Sequence, residues 1–161
     1  MIKRNLTITL IEYESAGEMN QADNQLIDCA KSATENSYAP YSKFHVGAAV
    51  LLENGETVIG SNQENAAYPS GLCAERVALF YANSKFPEVK VMAIAIAART
   101  NGEFTESPVP PCGSCRQVML ETENRLKQSI RIILYGDKKI LVTESASTLL
   151  PISFGESFLK K

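Results

Sequence analysis

The sequence predicts one α/β domain in three layers, α/β/α, with a mixed five-stranded sheet and an additional strand at the N-terminal end. Three observations carry that prediction. From residue 46 onward, short runs of β-favouring apolar residues alternate with longer stretches of helical periodicity, the order of a layered α/β sheet. The first two of these runs flank Asn54-Gly55, the strongest short hairpin signal, so one strand pair is antiparallel and the sheet is mixed. Val91 to Ala98 is a continuous apolar run, the mark of a strand covered on both faces.

In chain order, Leu6 to Ile11 alternates apolar residues with threonine and predicts an edge strand in an N-terminal extension, residues 1–22, ahead of a domain spanning 23–161. From Asp23, the residues Leu26, Ile27, Cys29, Ala30 and Ala33 recur at three- and four-residue spacing, an amphipathic helix ending near Asn36. Cys29 lies on its apolar face and reads as a small buried hydrophobe. Ser37 to Phe44 is an aromatic-rich loop that Pro40 keeps out of helix. The hairpin pairs Val46–Leu52 with Glu56–Ile59, and a helix begins at Cys73. Gly113 to Lys127 predicts another helix through Val118, Met119 and Leu126, followed by strands at Ile130–Tyr135 and Lys139–Thr143. The tail after Ser147 carries Leu149, Leu150, Phe154 and Phe158, so it packs on its own domain or on a neighbouring subunit.

Composition narrows the function classes. The chain has 161 residues, 45% hydrophobic and 21% charged, enough for a real core in one domain. Its formal net charge of −2 gives no field that would draw it to nucleic acid or an anionic membrane. The N-terminus lacks the apolar core of a signal peptide, and no apolar run reaches the roughly 20 residues of a membrane span. We expect a cytoplasmic protein, whose clustered cysteines serve metal binding or catalysis in preference to disulfides.

Three of the four cysteines sit where helices begin. Cys73 follows a Gly-containing turn, and Cys112 and Cys115 are spaced to share the first turn of the next helix. A helix N-terminus favours thiolate over thiol, and thiolate is the form that ligates metal. Cys112-x-x-Cys115 alone could be a redox dithiol, but Cys73 would then have no role. Three thiolates match catalytic zinc, which keeps one position for water, whereas structural zinc closes four. Cys29 and His45 are the remaining candidates for a fourth ligand. Glu75, two residues after Cys73, stands off the metal as a proton shuttle, although taken alone it is an ordinary first-turn carboxylate. Arg76 or Arg116 could offset the surplus negative charge by bonding to sulfur, or could be plain surface arginines.

Cys73-Ala-Glu-Arg76 and Pro111-Cys-Gly-Ser-Cys-Arg-Gln117 occur together with Tyr38-Ala-Pro-Tyr-Ser-Lys-Phe44, Val46-Gly-Ala-Ala49, Asn62-Gln-Glu-Asn-Ala66 and Tyr68-Pro69. In this set the chain resembles the small, homotetrameric, three-cysteine cytidine deaminases over about Asp23 to Phe154. The resemblance implies their fold and hydrolytic deamination of cytidine and deoxycytidine to uridine and deoxyuridine, with release of ammonia, in pyrimidine salvage. It implies one Zn2+ per subunit on Cys73, Cys112 and Cys115, with Glu75 carrying the proton to N3 and on to the leaving amine. Phe44, Asn62, Glu64 and Ala74 would bind substrate, Asn62 and Glu64 through the ribose 3′-hydroxyl. Tyr68 and Phe154 would reach the site from a neighbouring subunit. Other readings are the same chemistry on a base in nucleic acid or on a cytosine-containing antibiotic, and a zinc-stabilised interaction module in which Glu75 is indifferent.

Overall fold

The computed structural model describes residues 1–159. Its centre is a mixed sheet in the order β1-β7-β6-β4-β2-β3, with a two-residue strand, β5, attached to β4. The strands are β1 (Ile11–Tyr13), β2 (Phe44–Leu52), β3 (Thr57–Ser61), β4 (Val91–Thr100), β5 (Glu103–Phe104), β6 (Arg131–Tyr135) and β7 (Ile140–Thr143). Only β4 and β6 run parallel, joined by a crossover through a helix. The expected five strands are all present, and β1 and β5 extend the sheet to seven.

Three helices make the outer layers: α1 (Gln21–Ala33), α2 (Ala74–Lys85) and α3 (Gly113–Leu126). The first opens at Gln21, ahead of the expected Asp23, because the Asn20 side chain caps it by accepting from the Asp23 N–H at 2.9 Å. It runs on as a 3-10 turn to Asn36, where the sequence places its end.

Alternation along the strands divides the core into two halves. On β2, Ala48, Val50 and Leu52 face α2 and α3, packing with Ala78, Leu79 and Met119. Ala49 faces the other way, towards Leu26, Ile27 and Ala30 of α1. Strand β4 repeats the pattern: Ile94 and Ile96 lie under α2 and α3, while Ala93, Ala95 and Ala97 lie under α1. Its continuous apolar run is the direct consequence of two covered faces.

The N-terminal strand lies further along the chain than Leu6 to Ile11, the two sharing only Ile11. Strand β7 is four residues long, and the register Ile11↔Val142 and Tyr13↔Ile140 uses most of it. Past Thr143 the chain turns into a 3-10 helix, so residues 6–10 have no strand to pair with and stay exposed. Strand β5 was not expected, yet Asn101-Gly102, with φ of 54° and 86°, closes its hairpin through the same dipeptide read at residues 54 and 55.

One contact sets the position of α2 on the sheet. A Cβ added at Gly60 of β3 would lie 2.6 Å from the Ala78 nitrogen and 2.7 Å from the Ala74 oxygen, both backbone atoms of α2. Gly60→Ala therefore forces the helix outward. We expect it to cost about 2–3 kcal/mol, by the magnitude of overpacking, and a thermal melt to show a fall in Tm of roughly 5–10 °C. An unchanged Tm would show that the helix slides without cost.

Candidate active site

Cys73 is the N-cap of α2, and Cys112 is the N-cap of α3, with Cys115 in that helix's first turn. Both helices aim their positive ends and free backbone N–H groups at the sulfurs. The Cys73 and Cys112 Sγ atoms are 3.8 Å apart, Cys112 and Cys115 are 3.5 Å apart, and all three lie within 4.8 Å of one another. Zn–S bonds of about 2.3 Å in a tetrahedron place sulfurs roughly 3.8 Å apart. The donor set and its spacing therefore fit zinc. Among the described residues this is the one group of three or more Cys, His, Asp or Glu side chains close enough to share an ion.

Neither candidate for a fourth ligand belongs to the group. Cys29 is on α1, against the core half on the other side of the sheet. The His45 ring bonds through Nδ1 to the Ser37 hydroxyl.

The cluster is electrostatically uneven. Hydrogen bonding from the Cys115 thiol, aided by Arg76, holds Cys73 down at about 5 against the opposing effect of burial. The same bond, together with burial, pushes Cys115 up. Arg76 Nη2 lies 3.9 Å from the Cys73 sulfur, and this partnership keeps the guanidinium charged although burial works against it. Arg116 does something else: its Nε donates to the Pro111 carbonyl at 2.8 Å and its Nη1 to Leu149 at 3.0 Å, tying the approach to α3 and the tail together. Of the two arginines, it is Arg76 that contacts sulfur.

Glu75 is 4% exposed. Burial raises its carboxyl above the ordinary range, and the neighbouring Cys73 charge adds to the rise. It lines a cleft of about 720 Å³ together with Cys73 and Cys112. Phe44, Asn62, Glu64, Tyr68 and Arg76 line the same cleft, so most of the residues singled out in sequence converge there. Cys115 lies behind the other two sulfurs, fully buried. Ala74 is fully buried among core residues and its side chain does not line the cleft.

The two aromatic residues expected from a neighbouring subunit are placed differently. Tyr68 borders this chain's own cleft at 89% exposure. Phe154 lies outside it, stacked on Phe158, its carbonyl accepting from Gln117 Nε2 at 2.9 Å.

Sequence reasoning missed what Asn62 and Glu64 do for the fold. The Asn62 side chain accepts from Val46 N–H at 2.8 Å and donates to the Phe44 carbonyl at 2.9 Å, bracing the start of β2 and with it the Phe44 ring. Glu64 accepts from Tyr41 N–H at 2.9 Å and Ser42 N–H at 3.3 Å, which fixes the aromatic loop above the cleft. Hydrogen bonding from Ser42 and Tyr41 lowers the Glu64 carboxyl. Tyr41, Ser42, Ile96 and Val109 complete much of the wall without having been singled out for it. Pro108-Val109-Pro110-Pro111, an extended run leading into Cys112, was the available signal for Val109.

Residues 20–129 match the model of the cytidine and deoxycytidylate deaminase zinc-binding region. A cytidine deaminase of Sporosarcina psychrophila is 42% identical over 135 residues, covering 84% of this chain and 93% of the relative. One from Halalkalibacterium halodurans is 51% identical over 96 residues, covering 60% of this chain and 68% of the relative. Among solved structures, cytidine deaminase from Burkholderia pseudomallei superposes with a TM-score of 0.70 at 41% identity, covering 84% of this chain and all of that one. With the three-thiol centre, the buried glutamate beside it and a matched segment that takes in strands β2 to β5 and all three helices, the chain belongs to the cytidine and deoxycytidylate deaminase family.

Proposed function

We propose that this chain is a zinc-dependent enzyme that hydrolyses cytidine and deoxycytidine to uridine and deoxyuridine, with release of ammonia, in pyrimidine salvage. The observation that carries this reading is a buried Glu75 carboxyl in the same cleft as Cys73 and Cys112, which with Cys115 form the three-sulfur group. Zinc held by those three residues supplies Lewis-acid activation of water at neutral pH. The carboxylate of Glu75 takes a proton from that water and delivers it to N3 of the cytosine ring as a C–O bond forms at C4. Glu75 then takes the proton of the new C4 hydroxyl and passes it to the exocyclic amine as the C4–N bond breaks and the C4 carbonyl forms. One water is consumed, one ammonia leaves, and the carboxyl ends as it began. A carboxyl raised by burial suits both halves of this cycle, because it can hold the proton between the two transfers.

The other side chains position the substrate. Phe44 packs against the base. Asn62 and Glu64 bind the ribose 3′-hydroxyl, which donates to the carboxylate and accepts from the amide. Their backbone partners leave Asn62 a second N–H and Glu64 further lone pairs for this task. Ala74 offers its backbone N–H, one of the free donors that open α2. Arg76 sits on the Cys73 sulfur and offsets the net negative charge of three thiolates around a divalent ion.

The enzyme works as a homotetramer in the cytoplasm, built as an N-terminal extension, residues 1–22, and the deaminase domain, 23–161. Tyr68 and Phe154 of one subunit complete the site of a neighbour. Their high exposure, 89% and 58%, is consistent with surfaces that another subunit covers. No helix among the described residues is long and apolar enough to cross a membrane.

A substrate panel tests the reading. Free cytidine and deoxycytidine are both expected to turn over, while cytosine within single-stranded DNA and blasticidin S stay unchanged. Conversion of the oligonucleotide or the antibiotic in preference to the nucleosides would overturn it.

A further inference from the structure

The ten residues ahead of β1 are all exposed, and they carry a pattern with no use inside one chain. Leu6, Ile8 and Leu10 are 63%, 50% and 44% exposed. Strand β1 is the last strand of the sheet on its side and pairs only with β7, so its outer edge is unpaired among the described residues. A long apolar segment continuing an open edge strand is a template for a further strand. Natural proteins blunt such edges with proline, bulges or inward charges, but Leu6-Thr-Ile-Thr-Leu-Ile11 has none of these.

The segment is complementary to itself. In an antiparallel pair of two copies with Ile8 opposite Ile8, Leu6 falls opposite Leu10, Thr7 opposite Thr9, and Arg4 opposite Glu12. Period-two alternation puts Arg4, Leu6, Ile8, Leu10 and Glu12 on one face. That face therefore has an apolar centre with an opposite-charge pair at each end, the arrangement that favours cross-strand pairing. Within one chain Glu12 already reaches Lys139 at 3.3 Å, so its carboxylate is turned along the sheet and not into the core. The other face is partly committed, because Tyr13 packs against the α1 half of the core. The pairing fits the existing sheet: residues 11–13 keep β7 on one side and take residues 5–3 of the second copy on the other. A shift by one residue would bring Arg4 opposite Tyr13 and pair Leu6 with Ile11, which belongs to the other face.

We propose that residues 4–12 form an isologous strand pair with a second copy of this chain, joining two sheets edge to edge around a two-fold axis at Ile8. The matched family segment begins at residue 20, so this interface lies outside it and adds to any assembly made by the deaminase domain. Charge complementarity selects a second copy over an unrelated strand, since both charges of each end pair come from the same short sequence.

Five variants of the chain and the wild type test the pairing, with mass in solution as the readout for the first three. Ile8→Asp places two carboxylates on the axis and is expected to lower the mass from that of the wild-type assembly to that of the assembly made by the deaminase domain, at equal concentration. Arg4→Glu is expected to do the same, and Arg4→Glu combined with Glu12→Arg to restore the wild-type mass. As a second readout, Ile8→Cys is expected to give a chain-to-chain disulfide under mild oxidation. Thr7→Cys, whose counterpart in this register is Thr9, is expected to give none. Wild-type mass in Ile8→Asp, no recovery in the charge exchange, or equal cross-linking at residues 7 and 8 would each overturn the proposal. None of these readouts depends on the active site.

Discussion

Replacing Glu75 with glutamine lowers kcat for cytidine by about three orders of magnitude, the scale of a lost general acid–base group, while zinc stays at one per chain. The argument rests on what the substitution keeps. Glutamine has the shape of glutamate and fills the same buried volume, so Cys73 and the start of α2 are undisturbed. It loses the carboxylate that takes the proton from water and returns it to N3 and to the amine. Folding should not suffer, because burial disfavours the ionised carboxylate in the wild type and the amide removes that cost. The variant should therefore melt at the wild-type temperature or above it. Turnover within tenfold of wild type would make Glu75 a structural carboxylate and send the proton by another route.

Replacing Cys115 with alanine has the second large effect, on metal and stability together. Cys115 is fully buried beside Met119 and Ile96 in the core half that α2 and α3 share. Its loss leaves two sulfurs at helix caps. We expect zinc, measured by elemental analysis, to fall below a tenth per chain. Because binding energy at such a site is also folding energy, we expect Tm to fall by at least about 10 °C, more than a small core cavity explains. Two controls separate the causes. Chelator-treated wild type should melt close to the variant, and Cys29→Ala, in α1 on the opposite side of the sheet, should keep its zinc. Full zinc in the Cys115 variant would mean that the ion is held by another set of groups.

Local signals in the sequence reached the fold where the rule was local. Asn54-Gly55 identified its hairpin, and the unbroken apolar run of β4 announced a strand with two covered faces. Asn101-Gly102 carries the same hairpin signal, but it leads into a strand of only two residues, too short to show as an apolar run. Leu6 to Ile11 has strand chemistry throughout, yet how far it pairs is set by the length of β7, a partner about 130 residues away in the chain. Periodicity contains no information about that length.

The site divides in the same way. The cysteines and Glu75 were legible because metal chemistry restricts residue type and spacing together. The bracing work of Asn62 and Glu64 was not, because a side chain that accepts from backbone N–H groups 16 to 23 residues away leaves no local pattern. Glu123 is a second example of that blindness: its buried carboxylate accepts from Ile130 N–H and Ala146 N–H, both at 2.7 Å, and so joins α3 to β6 and to the tail. It reads in sequence as one more polar residue of an amphipathic helix.

The most direct measurement is uridine formed from free cytidine by one purified sample, followed with its zinc, then after removal of the metal by a chelator, then after return of one equivalent of Zn2+ per chain. The account predicts turnover, its loss, and its recovery in step with bound zinc. Cytidine left unchanged by the zinc-loaded protein, or turnover undiminished in the stripped one, would contradict it.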